Sequence, residues 1–347
     1  MKGSCQGGEA VGKAGAKLAG VVLGAGATAA LGVYLYYATT IEGWKQLVGS
    51  IAWGLVGGYL VLWALTMLLK AWRYQLLVGG SMWGRKVGLG RMVVVSLVAN
   101  LFVDLLPARV GSVAYVVVLE RMGVKVRAGV SSLAMAMVLD MLALVVVVGL
   151  ALAFGGGQGG LWVVMVIIAG VGLVALVGLE RVGQWVEKAG EWAGERLGGR
   201  AGRWLGGLGR QALDVAADLA QLRRSRLMWP LLGLSVGVRL AKYGSLTLLV
   251  WAVAGGWGAM GILGPGVVVP ALVAAEATAS LPISGIAGFG AYEGVLIAAF
   301  SAAGLGRQMA AMVPVAMHLI TQVVDYTAGA VALGVAAAMG RMGPQGP

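Results

Sequence analysis

Ionisable side chains inside long apolar runs mark the positions in this sequence where chemistry can be sought. Placing such a group at the centre of a bilayer costs about 2.5–3.5 kcal/mol on insertion scales, so each one asks for a reason. Asp140 lies midway along the apolar run Gly129 to Leu152, and Arg239 and Lys242 lie midway along Met228 to Ala254. Arg239 and Lys242 are three residues apart, which puts them on one helix face. Together they could hold an anionic phosphate, or Asp140 could neutralise one of them as a buried ion pair. In the last apolar run the single histidine, His318, is followed by Gln322 and Asp325 at steps of four and three, one polar stripe on an otherwise apolar helix. A lone histidine with no second histidine or cysteine beside it is a poor metal ligand, so His318 reads as one half of a hydrogen-bonded pair or as a proton-sensitive group. Asn100 and Asp104 share a helix face just before Pro107, and Glu276 and Glu293 flank Pro282. Acids on both sides of a broken helix could bind a cationic headgroup or a coupling ion, or accept from backbone N–H groups that the break sets free. No Asp-x-Asp pair and no nucleophile beside a base occurs, so no catalytic residue, metal or cofactor is expected. Gly288-Phe289-Gly290 lacks the spacing and the preceding strand of a nucleotide site.

The elements that must position these groups follow from composition. The chain is 59% apolar and 12% charged, which makes lipid the solvent of the fold. Spans of roughly 20 residues use up its length, so residues 1–347 read as a single integral membrane domain. Sixty glycines read as sites of close helix packing rather than of flexibility. Cys5 is the single cysteine, which excludes an intrachain disulfide. A net charge of +12 could suit nucleic acid, but the basic residues sit in short loops beside apolar runs, where they set topology and meet anionic lipid.

Six runs have the length of a full span: Leu18 to Tyr37, read as an uncleaved first helix, Ile51 to Leu69, Gly129 to Leu152, Leu161 to Leu179, Met228 to Ala254 and Ala310 to Met339. A loop with Lys70, Arg73, Arg85, Lys86 and Arg91 and no acid should be cytoplasmic, as should Arg181 to Arg226 with nine Arg or Lys residues. Two good spans already separate these loops, so Met92 to Leu119, broken at Pro107, must enter and leave on one side as a re-entrant hairpin. Ile262 to Ala303, broken at Pro282 to Gly290, is either a hairpin from the opposite face or two full helices. Two interrupted elements, one in each half of the chain, suggest an inverted-repeat transporter with its site near the midplane. Within 181–226, Leu205, Leu208, Ala212, Val215, Leu219 and Leu222 alternate steps of three and four, an amphipathic helix that lies along the cytoplasmic interface or packs on the loops as a solvated connector. The expected architecture is therefore all-α and polytopic, with about six transmembrane helices, two broken elements and both termini cytoplasmic.

Two stretches carry a family resemblance. Leu106-Pro107-Ala108-Arg109-Val110-Gly111 is followed about thirty residues later by Asp140; Leu281-Pro282-Ile283-Ser284 is followed by Gly288-Phe289-Gly290-Ala291-Tyr292-Glu293. In order, spacing and hydrophobic context they resemble the flippase-like membrane domain of the lysylphosphatidylglycerol synthase family, which also occurs as stand-alone proteins in bacteria and archaea. The resemblance runs from about Leu18 to Met339. It implies that Pro107 and Arg109, and Pro282, Gly288, Gly290 and Glu293, line a lipid pathway. The chain departs from the family pattern at Ser112, Ala136, Met137 and His318, where charged residues are usual, so the family's headgroup preference does not carry over. In full-length synthases a soluble aminoacyl-transfer domain follows the last span; here Gly340 to Pro347 follow it, and lipid aminoacylation is not expected of this chain.

The function expected on these grounds is lipid translocation between leaflets of a bacterial or archaeal plasma membrane. Arg109, Arg239 and Lys242 would hold a phosphate. Glu293, Asp140 and the stripe from His318 to Asp325 would gate the path or exchange protons. Expected partners are membrane lipids, anionic or polyprenyl-linked, a separate glycosyltransferase or aminoacyltransferase, and a second copy in a homo-oligomer. The alternative is a membrane-embedded enzyme or accessory subunit acting on glycolipid, polyprenyl-phosphate or terpenoid lipids.

Overall fold

A helix rises about 1.5 Å per residue, so a bilayer-crossing element must hold its hydrogen-bonded pattern for some 20 residues. The computed structural model describes residues 25–80, 86–105, 111–154, 188, 192, 217–218, 220–221, 225–279 and 289–341, and all regular structure among them is helical. In chain order the helices are α1 (residues 25–38), α2 (Ile41–Gly49), α3 (Trp53–Gly80), α4 (Leu89–Leu105), α5 (Ser112–Arg121), α6 (Val126–Phe154), α7 (Met228–Ala254), α8 (Pro265–Ala279), α9 (Ala291–Ala302) and α10 (Arg307–Arg341). Four of them, α3, α6, α7 and α10, are long and apolar enough to cross a membrane. The chain is a polytopic α-helical membrane protein. The run Leu161 to Leu179, most of 181–226, and Pro107, Arg109, Pro282 and Gly288 lie outside the described residues.

In both interrupted regions the described residues form two separate helices. Met92 to Leu119 becomes α4 and α5, and Ile262 to Ala303 becomes α8 and α9. The arms run from 10 to 17 residues. The arms α8 and α9 pack against each other. On the first element the chain doubles back so tightly that a Cβ on Gly111 would collide with the Phe102 carbonyl.

One boundary differs from the sequence reading. Lys70 and Arg73 are not loop residues: α3 continues past Leu69 to Gly80. Charge ends an apolar run, but it does not end a helix, and no proline interrupts residues 70–80. A second addition is α2, whose start is capped by Thr40: the Gly43 N–H donates to Thr40 Oγ1 at 3.1 Å.

The chain divides into two compact units. The first comprises residues 1–59, 99–112 and 246–329. Leu272, Leu296, Phe300, Met312 and Met317 are buried in it. Trp251 Nε1 donates to the Leu263 carbonyl at 2.7 Å, and the Ala52 N–H donates to the Ala252 carbonyl at 2.9 Å, tying the chain before α3 to the end of α7. The second comprises residues 60–98, 113–245 and 330–347, with Met92, Tyr115, Leu119, Leu139 and Leu231 buried. There Gly129 of α6 lies against Val116 of α5, and the Tyr115 and Ser132 hydroxyls are hydrogen-bonded at 2.9 Å.

Small residues set the closest helix approaches, as expected in lipid. A Cβ added at Gly329 of α10 would lie 2.5 Å from Leu101 Cβ of α4. Gly329→Ala should therefore cost about 1–3 kcal/mol by overpacking. Gly334→Ala, with nothing within 4 Å of the added Cβ, should leave stability unchanged or slightly raised. Melting of the two detergent-solubilised variants, followed by gel filtration, checks this; equal melting temperatures would remove the close-packing argument.

Candidate functional site

The second unit builds its site on three of the apolar helices. Arg73 of α3, Asp140 of α6, and Ser235 and Arg239 of α7 converge. Ser235 and Arg239 are four residues apart and share a helix face. The Arg73 guanidinium grips the carboxylate with both arms: Nη1 donates to Oδ1, and Nη2 donates to Oδ2 at 3.3 Å. Nη1 also donates to Ser235 Oγ at 3.0 Å. Arg239 Nη2 lies 3.5 Å from the same Oδ2, and its Nη1 donates to the buried Tyr243 hydroxyl at 3.3 Å. Lys70, one turn before Arg73, adds its charge to the field at Asp140. Exposure grades across the cluster, with the Arg73 side chain 1% exposed, Arg239 13% and Asp140 21%. Lys242 lies one step further along α7.

The expected ion pair of Asp140 with the α7 cations therefore forms through Arg239, but the main partner is Arg73. That residue was missed because it follows an apolar run among other basic residues. The usable signal was the lack of any helix breaker between Leu69 and Gly79.

The first unit holds two networks. Gly290 precedes α9 with φ 138° and ψ −89°, a conformation open to glycine and strained for any other residue. Glu293, 0% exposed, reaches back so that Oε2 accepts from the Gly290 N–H at 2.7 Å, while Oε1 contacts His318 Nδ1. His318 Nε2 lies 3.1 Å from the Gln322 amide nitrogen. The assignment that satisfies every atom has Nδ1–H donating to Glu293 and Nε2 accepting from Gln322. The Phe289 ring stacks on the imidazole at 4.4 Å, and the Tyr292 ring lies 5.3 Å from it. Thr28 of α1 donates to the Phe289 carbonyl at 2.7 Å, holding the chain at the break. Glu293 thus caps a freed backbone N–H, one of the two roles the sequence left open, and also pairs with the histidine, a partner the sequence did not name.

In the other network Asn100 Nδ2 donates to Asp325 Oδ1 at 3.1 Å and to Asp104 Oδ2 at 3.5 Å. The Tyr59 and Tyr326 hydroxyls are buried in the field of both carboxylates. The polar stripe of α10 is therefore split: His318, backed by Gln322, goes to Glu293, and Asp325 goes to α4. Glu276 lies half-buried on α8. Among the described residues no three His, Cys, Asp or Glu side chains are grouped to hold a metal ion.

The family model of the lysylphosphatidylglycerol synthase TM region matches residues 18–329. The chain belongs to this family. No curated protein and no solved structure matches it. Membership in the lysylphosphatidylglycerol synthase membrane family assigns the chain a lipid-related function in the membrane. All three networks lie within the matched span. Gly290 and Glu293, on which the resemblance rested, occupy the strained turn and its cap.

Because Glu293 serves two partners while fully buried, Glu293→Ala should leave Gly290 N–H and His318 Nδ1 without an acceptor and cost about 3–5 kcal/mol. Glu293→Ala and His318→Ala should be non-additive, with a coupling of about 0.5–3 kcal/mol in a double-mutant cycle read by thermal melting. Strict additivity would show that the two side chains do not act as a pair.

Proposed function

We propose that this protein is a lipid translocator, carrying a phospholipid or polyprenyl-linked headgroup between leaflets without a covalent step. The observation that carries the reading is the Arg73–Asp140–Arg239 cluster, three ionised groups on three membrane-length helices of a lipid-related family. Charge at that depth is costly and marks substrate or ion pathways. Arg239 and Lys242 hold the phosphate of the headgroup. Glu293 with His318, and Asp325 with Asn100 and Asp104, gate the path or exchange protons. The first broken element enters from the cytoplasmic face of the plasma membrane, the second is a hairpin from the outside or two full helices, and both termini are cytoplasmic.

Reconstitution into vesicles with headgroup-labelled lipids tests the transport reading. The protein should raise leaflet exchange of at least one anionic lipid well above the protein-free rate, and Arg239→Ala should lower it by about tenfold or more, the loss of one charge-assisted contact. Exchange of every labelled lipid at the protein-free rate would sink the proposal.

Orientation is tested separately. With Cys5 replaced, single cysteines at positions 123 and 199 should be shielded from an external thiol reagent in intact cells, while those at 157, 256 and 306 react. Labelling of 123 and 199 from opposite sides would rule out the re-entrant first element and the inverted repeat with it.

A further inference from the structure

A guanidinium group carries five donors in a rigid fork, and in a buried site each needs an acceptor. Arg73 is the most deeply buried charged group of its cluster. Its end-on face is spent: Nη1 and Nη2 hold Asp140, and the other hydrogen of Nη1 goes to Ser235. Its side-on face is different: Nε is fully buried and meets no acceptor among the described residues, while Tyr74 lies beside the guanidinium, 5.5 Å from it to the ring centroid. An orphaned buried donor costs about 1–3 kcal/mol, and more when it is charged. Nearby, the single negative charge of Asp140 is shared by two guanidinium groups, with Lys70 adding to the field. A water molecule would satisfy the donor but leave that excess of positive charge.

We infer that the side-on edge of Arg73 is a binding site for a phosphate oxyanion, with Asp140 as the carboxylate that holds the other face of the same guanidinium and balances its charge. The inference deepens the translocator reading and rests on it for the source of the phosphate. It adds a residue that neither the apolar runs nor the family motifs single out. Two oxygens of a tetrahedral phosphate match the Nε–Nη2 fork, as the carboxylate of Asp140 matches the end-on fork. The exposure gradient gives the route: the anion meets Asp140 and Arg239 first and Arg73 last. Arg73 is thus the inner wall of the site, and Asp140 keeps its charge balanced when no anion is bound.

The experiment uses the full chain in maltoside, a phosphate-free detergent. Its melting temperature is titrated with sodium phosphate against sodium chloride at matched ionic strength, then with short-chain phosphatidic acid, a lipid phosphate monoester. Phosphate, and not chloride, should stabilise saturably. Arg73→Lys keeps the charge but loses the fork, and should raise the half-saturating concentration by about tenfold or more. Asp140→Asn removes the negative charge that repels an arriving anion and should lower it; a purely structural ion pair with no anion site predicts no phosphate-specific gain. If Arg73→Lys does not fold, Asp140→Asn decides alone. A half-saturation point unchanged in Asp140→Asn, or no phosphate-specific stabilisation of the wild type, overturns the site. Tighter binding of phosphatidic acid than of inorganic phosphate supports the site and makes a lipid headgroup its occupant. Equal binding supports it with a free anion as occupant. Phosphate binding that persists while leaflet exchange stays at the protein-free rate would retain this site and remove the translocator reading.

Discussion

A charge that leaves water for a bilayer must take its counter-charge and hydrogen bonds with it. For an isolated ion the idealised transfer cost is of order 20 kcal/mol, far above the few kcal/mol by which a domain is stable. The Arg73–Asp140 pair meets this constraint with two-armed geometry, a serine on Nη1 and a second arginine on the same carboxylate. Because the partners come from α3, α6 and α7, the pair also fixes the register of three helices. Apolar side chains facing apolar lipid specify register weakly, whereas a buried polar contact leaves few acceptable arrangements. Such a pair is a poor source of stability and a good source of specificity, and here it places the more buried of two arginines beside a more accessible carboxylate.

The breaks in α4–α5 and α8–α9 obey the same rule on the backbone. Interrupting a helix strands N–H and C=O groups that lipid cannot satisfy, so the interruption must be lined by protein. Glu293 and Thr28 meet that need at the second break by holding the Gly290 N–H and the Phe289 carbonyl. Using an ionisable cap where an amide would do makes the turn sensitive to the charge of Glu293 and therefore to His318, its partner. Structural repair of the backbone and the pairing with the histidine are thus vested in one carboxyl group. An aromatic ring stacked on the imidazole limits its freedom to turn away.

How much of this was legible in the residues differs by level. Hydropathy and charge were enough for the class and for the four long helices among the described residues, since lipid forces every spanning backbone to be helical. The bounds of α7 came through unchanged. The end of α3 did not, because a drop in hydropathy at Lys70 was taken for the end of the helix, and a helix tolerates charge wherever tertiary structure supplies a partner. The α10 stripe shares one face by its spacing, but its members serve different partners.

From the sequence alone came the solvent, the secondary structure, the candidate residues and the family, all properties of local pattern along one chain. Tertiary structure alone decided that Asp140 belongs first to Arg73, that Glu293 closes on both Gly290 and His318, and that Asp325 turns to Asn100. Periodicity says which side chains share a face of a helix. Which other helix that face meets depends on packing between segments far apart in the chain, and no local pattern encodes it.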